Sequence, residues 1–277
     1  MVAAMTHDAA PSSPAPCSPS APSPPRPPES AAPAGPDGPE GPDGVAGRDV
    51  ADPGSDLTAT SGKTKRAPVI LDRLKTEHDD AEIALDFEGP FQLLVATVLS
   101  AQSTDVKVNE VTPALFAAYP DAFAMAEATR EDLEAMVGSL GLFRQKAKNL
   151  LATARILVTE HDGEVPATMD ELTALPGVAR KTANVVLANG FGINAGVVVD
   201  THVTRLARRL RFTREETAVR IERDLMRLFP REQWLEVSDL LIFHGRRVCK
   251  ARSRQCAACV VAELCPSDAT SNRTDKA

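Results

Sequence analysis

Residues 175–186 read Leu-Pro-Gly-Val-Ala-Arg-Lys-Thr-Ala-Asn-Val-Val and lie between two segments of helical period. Pro176 and Gly177 end the first segment and form a tight turn, and a second helix is predicted to begin near Ala179. The first N–H groups of that helix lack partners within it, and together with the positive end of the helix dipole they can bind an anion. Gly177 has no side chain to keep a phosphodiester away. The stretch therefore predicts two helices joined by a turn that can contact phosphate, although ordinary helical hairpins share this pattern.

The helical period continues outward from this stretch along most of the chain. After about residue 67, glycine and proline become sparse and helix-forming residues dominate. The predicted helices cover residues 68–77, 90–101, 105–117, 130–137, 144–160, 169–174, 180–189, 201–210, 214–229 and 232–246. The best strand candidate, residues 197–199, is too short to form a sheet. The predicted fold class is therefore all-α.

Local signals mark where several of these helices begin and end. A threonine followed three positions later by an acidic residue resembles a capping box, and this pattern occurs at Thr129, Thr168 and Thr213. Glycine tolerates the left-handed backbone that ends many helices. Helix ends are predicted at Gly138, Gly141, Gly163 and Gly190.

Residues 1–62 differ from the rest of the chain in composition. They hold 14 of the 22 prolines and no aromatic residue. Such a segment cannot bury enough apolar surface to offset the entropy lost on ordering, so we predict a disordered tail. Cys17 lies in this tail without a neighbour at metal-site spacing, and we assign it no role.

The charges are unevenly distributed along the chain. The formal net charge is −7, which by itself argues against nucleic acid as a partner. Residues 201–254, however, contain 14 basic and 7 acidic residues, and a basic segment of this kind is typical of nucleic-acid contact. Because no membrane-spanning run, secretory signal or transit peptide is recognisable, we expect a cytoplasmic protein, associated with the nucleoid if it is bacterial.

Four of the five cysteines lie close together near the C-terminus. Cys249, Cys256, Cys259 and Cys265 form the pattern C-x6-C-x2-C-x5-C. Zinc sites usually combine two closely spaced cysteine pairs, and here only one close pair exists. Four thiolates at wider spacing suit an iron–sulfur cluster, so the chemistry favours iron–sulfur and leaves zinc open.

Basic residues alternate within the first part of this cysteine loop. Lys250, Arg252 and Arg254 lie between the first two cysteines. A metal centre would hold the loop in place and present these cations on one surface, where they could contact DNA phosphates. The alternative is an ordinary solvated run of charges.

Lys181 and Asp200 are the candidate reactive residues. Lys181 lies in the first turn of the second helix of the hairpin, where the helix dipole disfavours a positive ammonium group. A neutral amine is a nucleophile that forms Schiff bases. Asp200 precedes another helical segment and could act as an acid or base near the lysine. By position alone, an ordinary surface lysine is the better explanation of Lys181, and a helix cap is by itself a sufficient explanation of Asp200.

Several segments in this order resemble the endonuclease III family. They are residues 175–186, 199–202, 99–105, 141–143, His244-Gly245 and the four-cysteine loop, and the resemblance extends from about residue 67 to 266. It implies a DNA glycosylase with an associated abasic-site lyase activity, acting in base excision repair on damaged bases, with oxidised pyrimidines expected. It also implies a monomer that binds double-stranded DNA and carries one 4Fe–4S cluster.

The resemblance further implies two helical domains with DNA in the cleft between them. One is a six-helix domain of residues 83–194, and the other combines residues 67–82 and 195–266 around the cluster, leaving 267–277 as a C-terminal tail.

By the same resemblance Lys181 attacks C1′ of the sugar, and Asp200 is its acid–base partner. Gln102 and Leu142 fill the base stack after the damaged base is extruded. The remaining expected DNA contacts are Gly177, Ala179, Arg180, Lys250, Arg252 and Arg254, and the expected cluster ligands are the four cysteines of the loop.

One departure from the family pattern concerns the hairpin. The family usually has a second glycine where this chain has Ala179, so we expect a weaker phosphate contact there, at small cost if φ is negative.

The alternative functions are an adenine- or thymine-mismatch glycosylase of the same superfamily, which lacks the lysine, and two non-enzymatic functions. These are an iron–sulfur module that only binds DNA, and an iron–sulfur redox sensor.

Overall fold

The computed structural model describes residues 56–268, which contain eleven α-helices and no β-strand. The helices are α1 (Lys63–Glu77), α2 (Pro90–Leu99), α3 (Asp105–Ala118), α4 (Ala122–Ala126), α5 (Arg130–Met136), α6 (Phe143–Glu160), α7 (Met169–Ala174), α8 (Arg180–Phe191), α9 (Thr201–Arg209), α10 (Ala218–Leu228) and α11 (Trp234–Arg247). Short 3₁₀ turns occur at Arg231–Gln233, Cys256–Ala258 and Ala262–Leu264. The all-α prediction is confirmed. Most of the predicted tails, 1–62 and 267–277, falls outside the described residues.

Two of the three predicted capping boxes begin helices. The Thr129 hydroxyl accepts the N–H of Asp132 at 3.1 Å, and the Thr168 hydroxyl accepts that of Glu171 at 3.3 Å. The sequence analysis missed α4, whose five residues are too few to show a helical period.

The third predicted capping box, at Thr213, is wrong. Helix α10 begins only at Ala218, and the Thr213 hydroxyl instead donates to the carboxylate of Asp224 at 2.6 Å. The predicted stop at Gly190 also lies inside a helix. Helix α8 continues to Phe191 and ends with Gly192 in the left-handed conformation, at φ 67°.

Two separate hydrophobic cores organise the described residues. The first core is built from α2–α8 and the loops between them, with buried side chains from Leu85 to Leu187. The second core combines α1 with α9–α11 and the cysteine loop, whose Val261 and Leu264 are buried. Leu57 also packs against the second core. The division of the chain into domains 83–194 and 67–82 plus 195–266 stays a proposal. None of the described helices is long and apolar enough to cross a membrane.

A buried glutamate links the two cores. Glu222 of α10 is 5% exposed, and its carboxylate accepts from the Arg180 guanidinium at 2.8 and 3.0 Å. It also accepts from the Asn184 amide at 2.9 Å. Gly196 passes so close that a Cβ there would lie 2.0 Å from a Glu222 oxygen. Because Arg180 and Asn184 lie on α8, these hydrogen bonds fix α8 against α10.

Glu222→Gln should lower the free energy of unfolding by about 1–3 kcal/mol, because the buried charge-assisted hydrogen bonds to Arg180 are lost. Urea unfolding at neutral pH measures this change. Glu216→Gln is the matched control, since the Arg208–Glu216 ion pair is exposed, and it should cost less than about 0.5 kcal/mol. Equal effects of the two substitutions would contradict a linking role for Glu222.

Candidate active site

A cleft between the two cores contains most of the predicted reactive and DNA-contacting residues that lie outside the cysteine loop. It encloses about 1210 Å³ of empty space, part of it open to solvent. The predicted site residues that line it are Gln102, Gly177, Ala179, Lys181 and Asp200. Side chains of α2 and α8 form one wall, and side chains of α11 form the other. Leu142 does not line this cleft and lies in a shallower depression with Phe143 and Arg144.

Lys181 lies in the first turn of α8 with an exposed side chain. Its amine makes no hydrogen bond or ion pair with any of residues 56–268. Ala179 supplies no side-chain cap, and the first helical hydrogen bond runs from the Ala183 N–H to the Ala179 carbonyl. The N–H groups of residues 180–182 therefore have no partner within the helix and face outward at its positive end.

The backbone conformation of the hairpin turn before α8 suits the residues Gly177 and Ala179. Gly177 has φ +82°, and a Cβ there would lie 2.4 Å from the Asn149 amide nitrogen, so both conformation and space require glycine. Ala179, which replaces the second glycine of the family, has φ −91°. Its backbone is therefore unstrained, and its methyl group costs little.

Asp200 begins α9 and caps it. One carboxylate oxygen accepts the N–H groups of His202 and Val203 at 2.7 and 2.8 Å. The other oxygen makes no hydrogen bond among the described residues, and the side chain lines the cleft. Capping thus fixes the orientation of the Asp200 carboxylate and leaves its second oxygen free to accept a proton.

The two residues predicted to enter the base stack lie on touching loops. Gln102 and Leu142 are both exposed and both adopt the left-handed conformation, at φ 54° and 57°. A Cβ on Gly141 would lie 3.1 Å from the Gln102 carbonyl, so the loops meet at this glycine. Sequence gave no sign of this conformation, because neither glutamine nor leucine favours it.

Sequence reasoning did not identify Asp239 as a cleft residue. It lies on α11 in the cleft wall, and burial together with the nearby charge of Glu82 raises its pKa to about 7. Its carboxyl makes no hydrogen bond or ion pair within residues 56–268. A lone aspartate within the largely apolar stretch 237–243 was the available signal.

The four cysteines of the C-terminal loop line one cavity of about 430 Å³. Its other walls are largely apolar, formed by Leu206, Leu210, Val248, Val261 and Ala262 among others. Within residues 56–268 no three Cys, His, Asp or Glu side chains converge closely enough to hold a single metal ion. The thiols therefore surround a space and do not meet at one point.

Burial disfavours the thiolate form of two of these cysteines, Cys259 and Cys265. Burial raises the pKa of Cys259 to about 11 and also raises the pKa of Cys265. The Arg209 guanidinium donates to the Cys249 sulfur at 3.1 Å and to the backbone carbonyls of the three successive residues 249–251. The loop is thus anchored to α9 by this arginine.

The basic residues expected to contact DNA differ in how free their side chains are. Lys250 and Arg252 are exposed and form no ion pair among the described residues. Arg254 donates to the Ser267 carbonyl at 2.8 Å. Arg180 is held by Glu222, so its guanidinium is already paired. The predicted DNA contacts of all four stay predictions.

Asp239→Asn should stabilise the protein at alkaline pH more than in acid. The folded chain raises this pKa from 3.8 to about 7, so the ionised carboxylate costs stability that grows as the pH rises between these values. The cost reaches at most about 4 kcal/mol, and asparagine removes it. Thermal unfolding at pH 5 and pH 8 measures the gain in Tm. The exposed Asp72→Asn serves as control, and an equal gain for Asp239→Asn at both pH values would contradict a raised pKa at Asp239.

Comparison with known proteins identifies the family. Residues 95–231 match the family described as HhH-GPD superfamily base excision DNA repair protein. The chain is 54% identical to endonuclease III of Synechocystis sp. over 76% of its own length and 96% of the relative, and 40% identical to endonuclease III of Escherichia coli over 73% and 95%. A solved structure of a trapped endonuclease III–DNA covalent intermediate matches with 40% identity and a TM-score of 0.71, covering 76% of this chain and 98% of that one. The chain therefore belongs to the endonuclease III family of base excision repair proteins.

Proposed function

We propose that this DNA glycosylase and abasic-site lyase uses Lys181 as its nucleophile and Asp200 as the acid–base partner. The observation that carries the proposal is that the unpaired amine of Lys181 and the free oxygen of Asp200 line the same cleft between the two cores. The Lys181 amine is exposed and therefore free to move toward the sugar. The Asp200 carboxylate is held in place by the hydrogen bonds with which it caps α9.

The reaction then proceeds from the lysine. The neutral Lys181 amine attacks C1′ of the extruded nucleotide, and the bond from C1′ to the base breaks with its electron pair leaving on the base. Asp200 accepts the proton from the attacking nitrogen and stabilises positive charge that develops on the sugar. The bond from C1′ to O4′ then breaks, O4′ takes up the proton that Asp200 accepted, and the opened sugar is left as a Schiff base with Lys181. Loss of a proton from C2′ then expels the 3′ phosphate by β-elimination.

DNA is held by groups on both sides of this cleft. The free N–H groups of residues 180–182 suit a backbone phosphate next to the extruded nucleotide. Gln102 and Leu142 project from adjoining loops and occupy the gap left in the stack. Lys250 and Arg252 add sequence-independent contacts to phosphates. Extrusion costs least for a base that already stacks or pairs badly, which favours damaged bases as substrates.

The lysine separates this proposal from the alternatives. The mismatch glycosylases of the superfamily lack a lysine at this position, and a module that only binds DNA requires no unpaired amine in its cleft. The proposed substrates are oxidised pyrimidines in duplex DNA, bound by a monomer. Solved endonuclease III structures include DNA complexes, which supports a DNA substrate for this chain.

We also propose that Cys249, Cys256, Cys259 and Cys265 hold one 4Fe–4S cluster. Four thiols that surround an apolar cavity without converging on one point suit a polynuclear centre better than a single zinc ion. The positive iron atoms would stabilise the thiolates of Cys259 and Cys265, which burial otherwise disfavours. With four cysteines as ligands, a bound cluster would have no position open to substrate, and it would serve to shape the loop that carries Lys250 and Arg252.

Lys181→Ala should abolish covalent trapping. When wild-type protein is incubated with abasic duplex and borohydride, reduction of the Schiff base should leave protein covalently attached to DNA. The variant should form no adduct, and strand cleavage should fall by at least about 10³-fold. Lys75→Ala, which removes an exposed amine paired with Glu236, should behave as wild type. Persistent trapping by the Lys181 variant would assign the nucleophile to another residue.

Cys256→Ser should reduce bound iron and the visible absorbance of the purified protein. The wild type should contain about four iron atoms and little zinc per chain. Cys17→Ser is the matched control, because Cys17 has no neighbour at metal-site spacing, and it should leave the iron content unchanged. Stoichiometric zinc in the wild type, measured by elemental analysis, would replace the cluster proposal with a zinc site.

A further inference from the structure

A buried lysine lies beneath the two loops that carry Gln102 and Leu142. Lys146, in the first turns of α6, is 3% exposed. Its amine donates to the Ser103 hydroxyl at 2.8 Å. Its backbone N–H donates to the Leu142 carbonyl at 3.1 Å. That backbone bond is the first helical bond of α6, so Lys146 lies one turn after Leu142, and its side chain ties the start of α6 to the loop that carries Ser103 and Gln102.

Core stability alone does not account for a lysine at this position. Burial lowers the pKa of Lys146, which shows that its surroundings disfavour the charge. Among residues 56–268 its amine has one hydrogen-bond partner, a neutral hydroxyl that offsets only part of the desolvation cost. A methionine of similar length would fill the space without that cost. The amine therefore contributes something other than packing.

The loops that Lys146 joins are strained. A non-glycine residue in the left-handed region costs on the order of 1–2 kcal/mol, and Gln102 and Leu142 both lie there. Such conformations persist only where neighbouring contacts hold them. The contact at Gly141 fixes how closely the loops approach, and the Lys146–Ser103 hydrogen bond resists their separation.

We propose that Lys146 is a positioning residue that fixes the spacing and direction of Gln102 and Leu142, so that both side chains enter the gap left by one extruded nucleotide. This inference rests on the proposed function of those two residues. Lys146 itself contacts neither the sugar nor the base. Its effect is on the extrusion step, which precedes the attack by Lys181.

Lys146→Met tests the inference because it keeps the length of the side chain and removes the donor. Extrusion of a base from an intact stack requires the two loops, whereas an abasic site has no base to unstack. In single-turnover reactions, the variant should release thymine glycol from a duplex at least about tenfold more slowly, in keeping with the cost of small misplacements. It should cleave an abasic duplex within about threefold of the wild-type rate, since nucleophile and carboxylate are unchanged.

A fluorescent base distinguishes positioning from general destabilisation. When 2-aminopurine is placed opposite the thymine glycol, its fluorescence rises as the 2-aminopurine unstacks on protein binding. In a Lys181→Ala background, which prevents turnover, addition of Lys146→Met should reduce this rise. Lys146→Arg keeps a cationic donor and should restore most of it. Lys148→Met, an exposed position on the same helix, should have no effect.

Removal of the acceptor provides a second route that does not disturb the core. Ser103→Ala should slow thymine glycol release in the same way. Combining it with Lys146→Met should slow release little further, because the two substitutions remove the same hydrogen bond. The inference is overturned if Lys146→Met and Ser103→Ala both match wild type. It is also overturned if rates on both duplexes fall equally while the fluorescence rise is unchanged. Failure of the proposed function differs from both outcomes, because the wild type would then form no borohydride adduct with abasic DNA.

Discussion

The hydrogen bonds between Glu222 and Arg180 hold the two hydrophobic cores together. Each hydrophobic core supplies one of the proposed reactive groups, Lys181 from α8 and Asp200 from the start of α9. A displacement of about 1 Å between reacting groups can cost about a hundredfold in rate. Because Arg180 is adjacent to Lys181 in the chain, the link between the cores acts directly beside the amine. Gly196 contributes by leaving room for the Glu222 carboxylate at the crossing between the cores.

The starts of α8 and α9 differ in a way that matches their functions. At α9, Asp200 satisfies two of the free N–H groups, and in doing so it fixes its own carboxylate. At α8, Ala179 offers no side-chain acceptor, so the N–H groups remain available. A capping serine or aspartate at 179 would stabilise the helix by about 1 kcal/mol and would compete with a phosphate for the same donors. The weaker cap is thus the arrangement that leaves a binding site.

The sequence predicted most helices because helical period is a local property, and it failed where the outcome depends on distant contacts. Residues 122–126 are too short to show a period, and Thr213 satisfies the pattern of a cap but bonds elsewhere. In the site, the hairpin and its lysine were readable from spacing and turn chemistry. The left-handed backbone of Leu142 was not readable, because a neighbouring loop imposes it. The high pKa of Asp239 was equally hidden, since its burial and its neighbour Glu82 exist only in the folded chain.

Three buried charged side chains among residues 56–268 connect segments that are distant in the sequence and must keep a fixed spacing. Arg66 of α1 donates to the carbonyls of Leu210 and Leu264, and so joins α1 to the end of α9 and to the cysteine loop. Glu222 joins the two cores, and Lys146 joins the two loops that carry Gln102 and Leu142. Apolar side chains at these positions would contribute as much or more to stability, since burying a charge is costly. Apolar contacts, however, tolerate sliding, whereas a hydrogen bond to a charged group weakens steeply as its geometry changes. A DNA duplex has fixed dimensions, so an enzyme that binds it gains from hydrogen bonds that hold its loops and cores in one geometry. The stability lost by burying a charge is lost at the positions where a misaligned segment would disturb contact with the substrate.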